Sequence, residues 1–263
     1  MRHHLSAAAL AATALLALTA CAGSADEDTA STDGELALVN AGTLTVCTNP
    51  PFEPFEFEDE NGEIVGLDID ITREVAEDLG VELDVLVAPF DTIESGASLN
   101  TDACDIAASG LTITDDRAAK FDFSQPYFDA DQGLLVAEGS GIEDVDSLAG
   151  KKIAVQMATT GETWVEEQGL TPVQFEDLGL QIQALQTGQV DAVVADIAVL
   201  GPFVTDGYEV ATTFPTGEQY GLGVKKGNTA LLEAVDATLD RIREDGTYDA
   251  IYTDRIGTAP VTD

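Results

Sequence analysis

Apolar residues recur along most of the chain with one of two periods, and the switches between them mark out its elements. Thr43 to Thr48 is a short apolar run closed by the breaker Asn49-Pro50-Pro51, which predicts a strand. Leu67, Ile71, Val75 and Leu79 then repeat every fourth residue, with Glu74, Glu77 and Asp78 on other faces and Gly80 placed to end the helix. Val81, Leu83, Val85 and Val87 next alternate with Glu82, Asp84 and Leu86, the period of a strand with one buried face. Strand, helix, strand predicts a parallel crossover. The same alternation predicts strands at 105–109, 133–137, 152–155 and 191–195, and helices at 161–168 and 177–187. A long helix with Leu231, Leu232, Val235, Leu239 and Ile242 on one stripe and Gly246 near its end closes the chain. The predicted class is α/β with largely parallel sheets.

The N-terminus breaks this pattern. Arg2 and two histidines precede Leu5 to Ala20, a run of 16 residues without a charge. A hydrocarbon core takes about 20 apolar residues to span, so 1–20 reads as a secretory signal. The run ends in Leu18-Thr19-Ala20-Cys21, which resembles the lipobox of bacterial lipoproteins. That resemblance implies cleavage before Cys21 and a lipid-bearing terminus on the outer face of the cell membrane; the alternative is an incidental cysteine near an ordinary cleavage site. Residues 21–34, nearly all small, polar or acidic, suit a flexible tether. No later stretch reaches spanning length, so this anchor is the expected membrane attachment.

Composition narrows the chemistry. The 263 residues hold 49 acidic against 11 basic side chains, a net charge of −38, so nucleic acid is excluded as a partner for want of cations to replace its counterions. Both histidines lie within the signal, leaving no histidine metal site or catalytic triad in the mature chain; no metal and no cofactor are expected. Cys47 and Cys104 remain. An exported chain permits a disulfide between them, and two buried free thiols are the other reading.

Parallel α/β sheets bind ligands beyond the carboxyl ends of their strands. The segments at those ends are Asn49 to Phe52, Pro89-Phe90-Asp91, Ser109 to Arg117, Gln156 to Gly161, and Asp196. Together they supply a guanidinium, a carboxylate, hydroxyls, helix-start amides and two aromatic faces, which match an amino acid zwitterion. Arg117 and the amides at Thr159 to Gly161 suit an α-carboxylate. Asp196, Gly110 and Thr112 suit an α-ammonium, and Phe52 and Phe90 would cover the side chain. Each residue also has a plainer use. Arg117 could pair with Asp115 or Asp116 on a solvated helix start, Asp196 and the threonines could be caps, and the phenylalanines could be core.

Three motifs now coincide: Phe52-Glu53-Pro54-Phe55-Glu56-Phe57; Gly110 to Arg117 followed by Phe121-Asp122-Phe123-Ser124-Gln125-Pro126-Tyr127; and Ala158-Thr159-Thr160-Gly161-Glu162. In them the chain resembles the family 3 extracellular solute-binding proteins, the polar amino acid-binding lipoproteins of ATP-binding cassette importers, from about Leu44 to Tyr252. The resemblance implies a two-lobed periplasmic-binding-protein-like (type II) clamshell with a two-strand hinge. Residues 35–128 and 222–257 would form lobe 1, 129–221 lobe 2, and 258–263 a tail. It implies that Arg117, Thr112 and the amides of Thr159 and Thr160 hold the α-carboxylate, that Ser109 or Gly110 with Asp196 holds the α-ammonium, and that Phe52 and Phe90 flank the side chain. Asn49 and Gln156 stand where side-chain choice is tuned, and two neutral amides there fit a side chain such as glutamine or asparagine. The chain departs from the family's frequent Asp at the first of these positions. The implied partners are the amino acid and a transmembrane permease, with the protein acting as a monomer. An exported enzyme acting on a small carboxylate, dehydratase-like, is the competing expectation, with Glu53 its nearest candidate acid or base; a sensory module is a third.

Overall fold

The computed structural model describes residues 36–205, 207–258 and 260. The signal segment, Cys21, the tether and most of the tail lie outside the described residues. In chain order the first part comprises β1 (Thr43–Thr48), β2 (Phe57–Glu58), β3 (Ile64–Val65), α1 (Leu67–Leu79), β4 (Glu82–Val87), α2 (Phe90–Glu94), α3 (Ala97–Asn100), β5 (Ile106–Ala107), α4 (Asp115–Ala118) and β6 (Asp122–Phe123). There follow β7 (Phe128–Ala137), β8 (Ile153–Gln156), α5 (Thr160–Glu167), β9 (Pro172–Phe175), α6 (Leu178–Gln186), β10 (Ala192–Asp196), α7 (Ile197–Leu200), β11 (Tyr208–Tyr220), β12 (Gly223–Val224), α8 (Thr229–Asp245) and α9 (Thr247–Ile256).

The strands form two five-stranded sheets, ordered β4-β1-β5-β12-β6 and β11-β7-β10-β8-β9, each flanked by helices. This is the two-lobed α/β clamshell. The expected parallel pairing holds where helices cross over, at β1 with β4 and β5 and at β8 with β9 and β10. Elsewhere it needs correcting to mixed, because β7 and β12 run antiparallel to their neighbours. They belong to the stretches that carry the chain between the sheets, so they enter against the direction of the crossover strands.

Local chemistry explains the best-defined elements. In α1, Leu67, Ile71 and Val75 are fully buried, Asp68 and Asp70 occupy the positive first turn, and Gly80 at φ 67° caps the end by donating to Ala76 O and Glu77 O. β4 shows the predicted alternation, with Leu86 outward beside Glu82 and Asp84, but Val87, expected inward, is 55% exposed at the end of this edge strand. The helix expected to close the chain, α8, ends at Gly246, and α9 follows it.

Cys47 on β1 and Cys104 just ahead of β5 are brought together by the β1–β5 pairing. Their sulfurs lie 2.10 Å apart as a disulfide within a cluster that includes Ile93, Leu99, Leu111 and Phe121. No helix among the described residues is long and apolar enough to cross a membrane.

Candidate functional site

The loops that leave the strand ends of both sheets face one cavity of about 460 Å³, its opening included. All eleven residues singled out in the sequence line it: Asn49, Phe52, Phe90, Ser109, Gly110, Thr112 and Arg117 from the first sheet's loops, Gln156, Thr159, Thr160 and Asp196 from the second's. Glu53 is exposed and does not line it.

Arg117 is positioned by a capped helix start, since the Thr114 hydroxyl accepts from its backbone N–H at 3.2 Å. The guanidinium is not the solvated partner of Asp115 or Asp116. It is 5% exposed, donates to Thr112 O and Ala158 O at 3.0 Å each, lies 3.8 Å from Glu94 and sits 5.5 Å over the Phe90 ring. Burial lowers its proton affinity while Glu94, Asp196 and Glu218 raise it, and a guanidinium so placed stays charged. Ala158 O belongs to the loop opening α5, whose Thr159 hydroxyl caps Glu162 N–H at 3.2 Å. The first-turn amides of Thr160 and Gly161 have no acceptor within their own helix. The site therefore has a cationic and amide-rich end.

Asp196 enters the lining from the second sheet, at the end of β10. It occupies the cap position of α7, yet its side chain caps nothing. It accepts instead from Tyr220 Oη at 2.5 Å and from Gln132 Nε2. Burial first, and then the Glu218 carboxylate, push its carboxyl up to about 7. A cation beside it would satisfy a charge that burial penalises.

Ser109 and Gly110 are held from behind by two fully buried carboxylates. Ser109 Oγ donates to Glu56 Oε1 at 2.5 Å and accepts from Asn49 N–H at 3.1 Å; Gly110 N–H donates to Asp68 Oδ2 at 2.8 Å. Burial raises the proton affinity of both acids, to about 6 at Asp68, whose Oδ1 accepts from Tyr127 Oη at 2.6 Å. With its amide so used, Gly110 has only its carbonyl left for a ligand.

At the third side, Gln156 Nε2 donates to Asn49 Oδ1 at 2.9 Å and to Glu176 O at 3.1 Å, while Asn49 Nδ2 donates to Ala88 O at 2.9 Å. The two amides expected to read a side chain thus also bind each other.

Four lining residues escaped the sequence reading: Gln132, Gln181, Val194 and Ala195; Gly161 also lines the cavity and was among the helix-start amides already named. Two had a usable signal. Gln181 is a buried amide on the apolar stripe of α6 with Leu178, Ile182 and Leu185, and Gln132 directly precedes an apolar strand run. Glu218, bonded to Thr112, Gln132 and Thr160, had none.

This geometry can be set beside known proteins. The sequence model of the bacterial extracellular solute-binding proteins, family 3, matches residues 44–258. The chain belongs to that family. It is 34% identical to a probable histidine-binding protein of Neisseria gonorrhoeae over 257 residues, 94% of this chain and 92% of the relative. It is 35% identical to the ABC transporter glutamine-binding protein GlnH of Bacillus subtilis over 201 residues, 73% and 72% of the two. Among solved structures it is similar to the ancestral amino acid-binding protein AncCDT-1, described as a precursor of cyclohexadienyl dehydratase, with TM-score 0.75, 34% identity, and 82% and 95% of the two chains covered. The family 3 chain is accordingly an exported substrate-binding protein of an ABC importer for amino acids.

Proposed function

We propose that this family 3 protein captures a polar L-amino acid between its two lobes, 35–128 with 222–257 and 129–221, and presents the closed form to its permease. The observation that carries the reading is that one buried guanidinium, from a loop of the first sheet, and one buried carboxylate, from the end of a strand of the second, line the same cavity. Arg117, with Thr112 and the amides of Thr159 and Thr160, grips the α-carboxylate through paired charge-assisted bonds. Asp196 and the Gly110 carbonyl, beside Ser109, grip the α-ammonium. Phe52 and Phe90 flank the side chain, whose polar end meets Asn49 and Gln156; a glutamine- or asparagine-like end fits that amide pair. Since the groups come from loops of both sheets, only a closed cleft serves both ends of the zwitterion, and binding shifts the population toward closure.

Every group of the site comes from one chain, so a monomer suffices. A lipid on Cys21 would tether it, each buried CH₂ adding about 0.8 kcal/mol; the Leu18 to Cys21 motif supports that reading. Simple capture, not turnover, is favoured by the amino acid-binding relatives; Glu53 is exposed and outside the cavity, and Asp196 is assigned to the ammonium group. Calorimetric titration of ligand-stripped protein with L-amino acids is the test. Saturable binding at unit stoichiometry supports capture, and consumption of any bound member would replace it with the enzyme reading.

A further inference from the structure

Glu218 has no part in the roles proposed above, yet its carboxylate is the meeting point of both lobes. Along β11, residues 208–214 pair with β7 from Ala137 back to Gln132, while 218–220 pair with Ala130 to Phe128. The register shift between Phe214 and Glu218 divides the strand. Beyond it the chain is bonded to the first sheet's loop: Ile113 N–H donates to Gln219 O at 2.8 Å and Gly221 N–H to Leu111 O at 3.1 Å. Glu218 is the first paired residue past the shift.

Its Oε2 accepts from Thr160 Oγ1 at 2.9 Å, Gln132 Nε2 at 3.2 Å and Thr112 Oγ1 at 3.3 Å. Thr112 follows β5 of the first sheet, Thr160 opens α5 beside the second, and Gln132 sits on the other crossing strand. Three donors thus converge on one carboxyl oxygen, which ties all three to a single point. Parting the lobes would draw Thr160 away from Thr112, and Glu218 could follow only one of them. The same Gln132 Nε2 also donates to Asp196, so the strap and the ammonium-binding carboxylate share a donor.

Resting on the reading that an amino acid is held between the lobes, we propose that Glu218 is a positioning residue for capture. Its carboxylate straps Thr112 to Thr160 across the hinge and, through Gln132, sets Asp196 in place for the ligand's ammonium group. The charged and titratable groups facing Asp196 are Arg117 from α4 and Glu218 and Tyr220 from β11. Among them Glu218 is the one that repels a proton-free Asp196, so neutralising it moves the acid limit of ligand binding to lower pH.

The test compares full-length wild type with Glu218→Ala and Glu218→Gln. Small-angle X-ray scattering reads closure of the ligand-free protein, and calorimetry with L-glutamine, L-arginine and L-histidine from pH 5 to 8.5 reads affinity. Glu218→Ala is expected to enlarge the radius of gyration and weaken the tightest binder at least tenfold, with the melting temperature held within a few degrees. Glu218→Gln keeps an acceptor but no charge; it is expected to cost two- to fivefold and to move the acid limb of the affinity profile down by about one pH unit. A wild-type radius and affinity in Glu218→Ala overturn the strap, and an unmoved acid limb in Glu218→Gln overturns the link to Asp196. Should Glu218→Ala not fold, Thr160→Val, which removes the shortest of the three contacts, carries the scattering readout, and a wild-type radius in it overturns the strap. If none of the three amino acids binds wild type, the capture reading fails by itself, while scattering still decides the strap.

Discussion

Gln156 Nε2 donates to Asn49 Oδ1 over 2.9 Å, tying the last residue of β8 in the second sheet to the first residue after β1 in the first. Both residues line the cavity, at the end proposed to receive the ligand's side chain, so a functional group reaching them would share the bond or break it. A charge placed here acts at short range in a partly dry site, where one favourable pairing is worth about 1–2 kcal/mol. Asn49→Asp is therefore expected to raise the ratio of arginine to glutamine affinity about tenfold, measured by competitive calorimetry. An unchanged ratio removes Asn49 from specificity.

The proposed α-carboxylate contact of Arg117 predicts a steeper loss. Arg117→Ala should weaken every amino acid ligand by at least a hundredfold, since a buried charge-assisted pair goes. Arg117→Lys should recover little of it, because an ammonium lacks the planar fork. Affinities of either variant within threefold of wild type would dismiss Arg117 as the carboxylate partner.

Acid should stabilise the ligand-free protein. Asp196, Asp68 and Glu56 all hold a proton more tightly folded than unfolded, with values of about 7 at Asp196 and about 6 at Asp68. Their contribution is complete below the ordinary carboxylate range and is lost as pH rises through those folded values. The melting temperature is expected to fall between pH 5 and 7.5, and to fall less with a saturating amino acid whose ammonium meets Asp196. A melting temperature that climbs over that interval contradicts the assignment.

Gly110 tolerates no side chain. At φ 49° an added Cβ would lie 2.4 Å from Phe52 Cε1 and 3.2 Å from Tyr220 Cε2. Gly110→Ala is expected to cost about 1–3 kcal/mol of stability through strain and overpacking and to displace Phe52 from the cavity. Urea denaturation and amino acid titration measure the two effects.

Reduction of Cys47–Cys104 reopens a loop with a sequence separation of 57 residues. A loss of about 2–4 kcal/mol is expected, which for a domain of this size lowers the melting temperature by roughly 5–15 °C. Calorimetric scans with and without reductant provide the comparison.

The elements legible beforehand are those whose burial is one-sided and regular. α1 repeats Leu67, Ile71 and Val75 against the sheet and stops at a glycine, so its period survives in the sequence. β11 carries no such record. Its burial alternates from Thr212 to Tyr220, but the inward positions include Thr212, Thr216 and Glu218 and the outward ones Pro215 and Gly217, so no apolar period marks it in the sequence. α9 escaped because its apolar face is weak, with Tyr248 its only buried residue.

The candidate site divides along the same line. Arg117, Asp196 and the nine other residues picked out early were visible because chemistry at strand ends is a local property of an α/β chain. Which donor meets which acceptor is not local. Asn49 finds Gln156, Arg117 finds Ala158, and Glu218 finds both Thr112 and Thr160, across separations of 41 to 107 residues. Those meetings depend on the register of β7 against β11 and on the distance it leaves between two sheets. A chain's residue types carry its periods and its polar inventory, whereas hydrogen bonds form only where packing brings groups to about 3 Å.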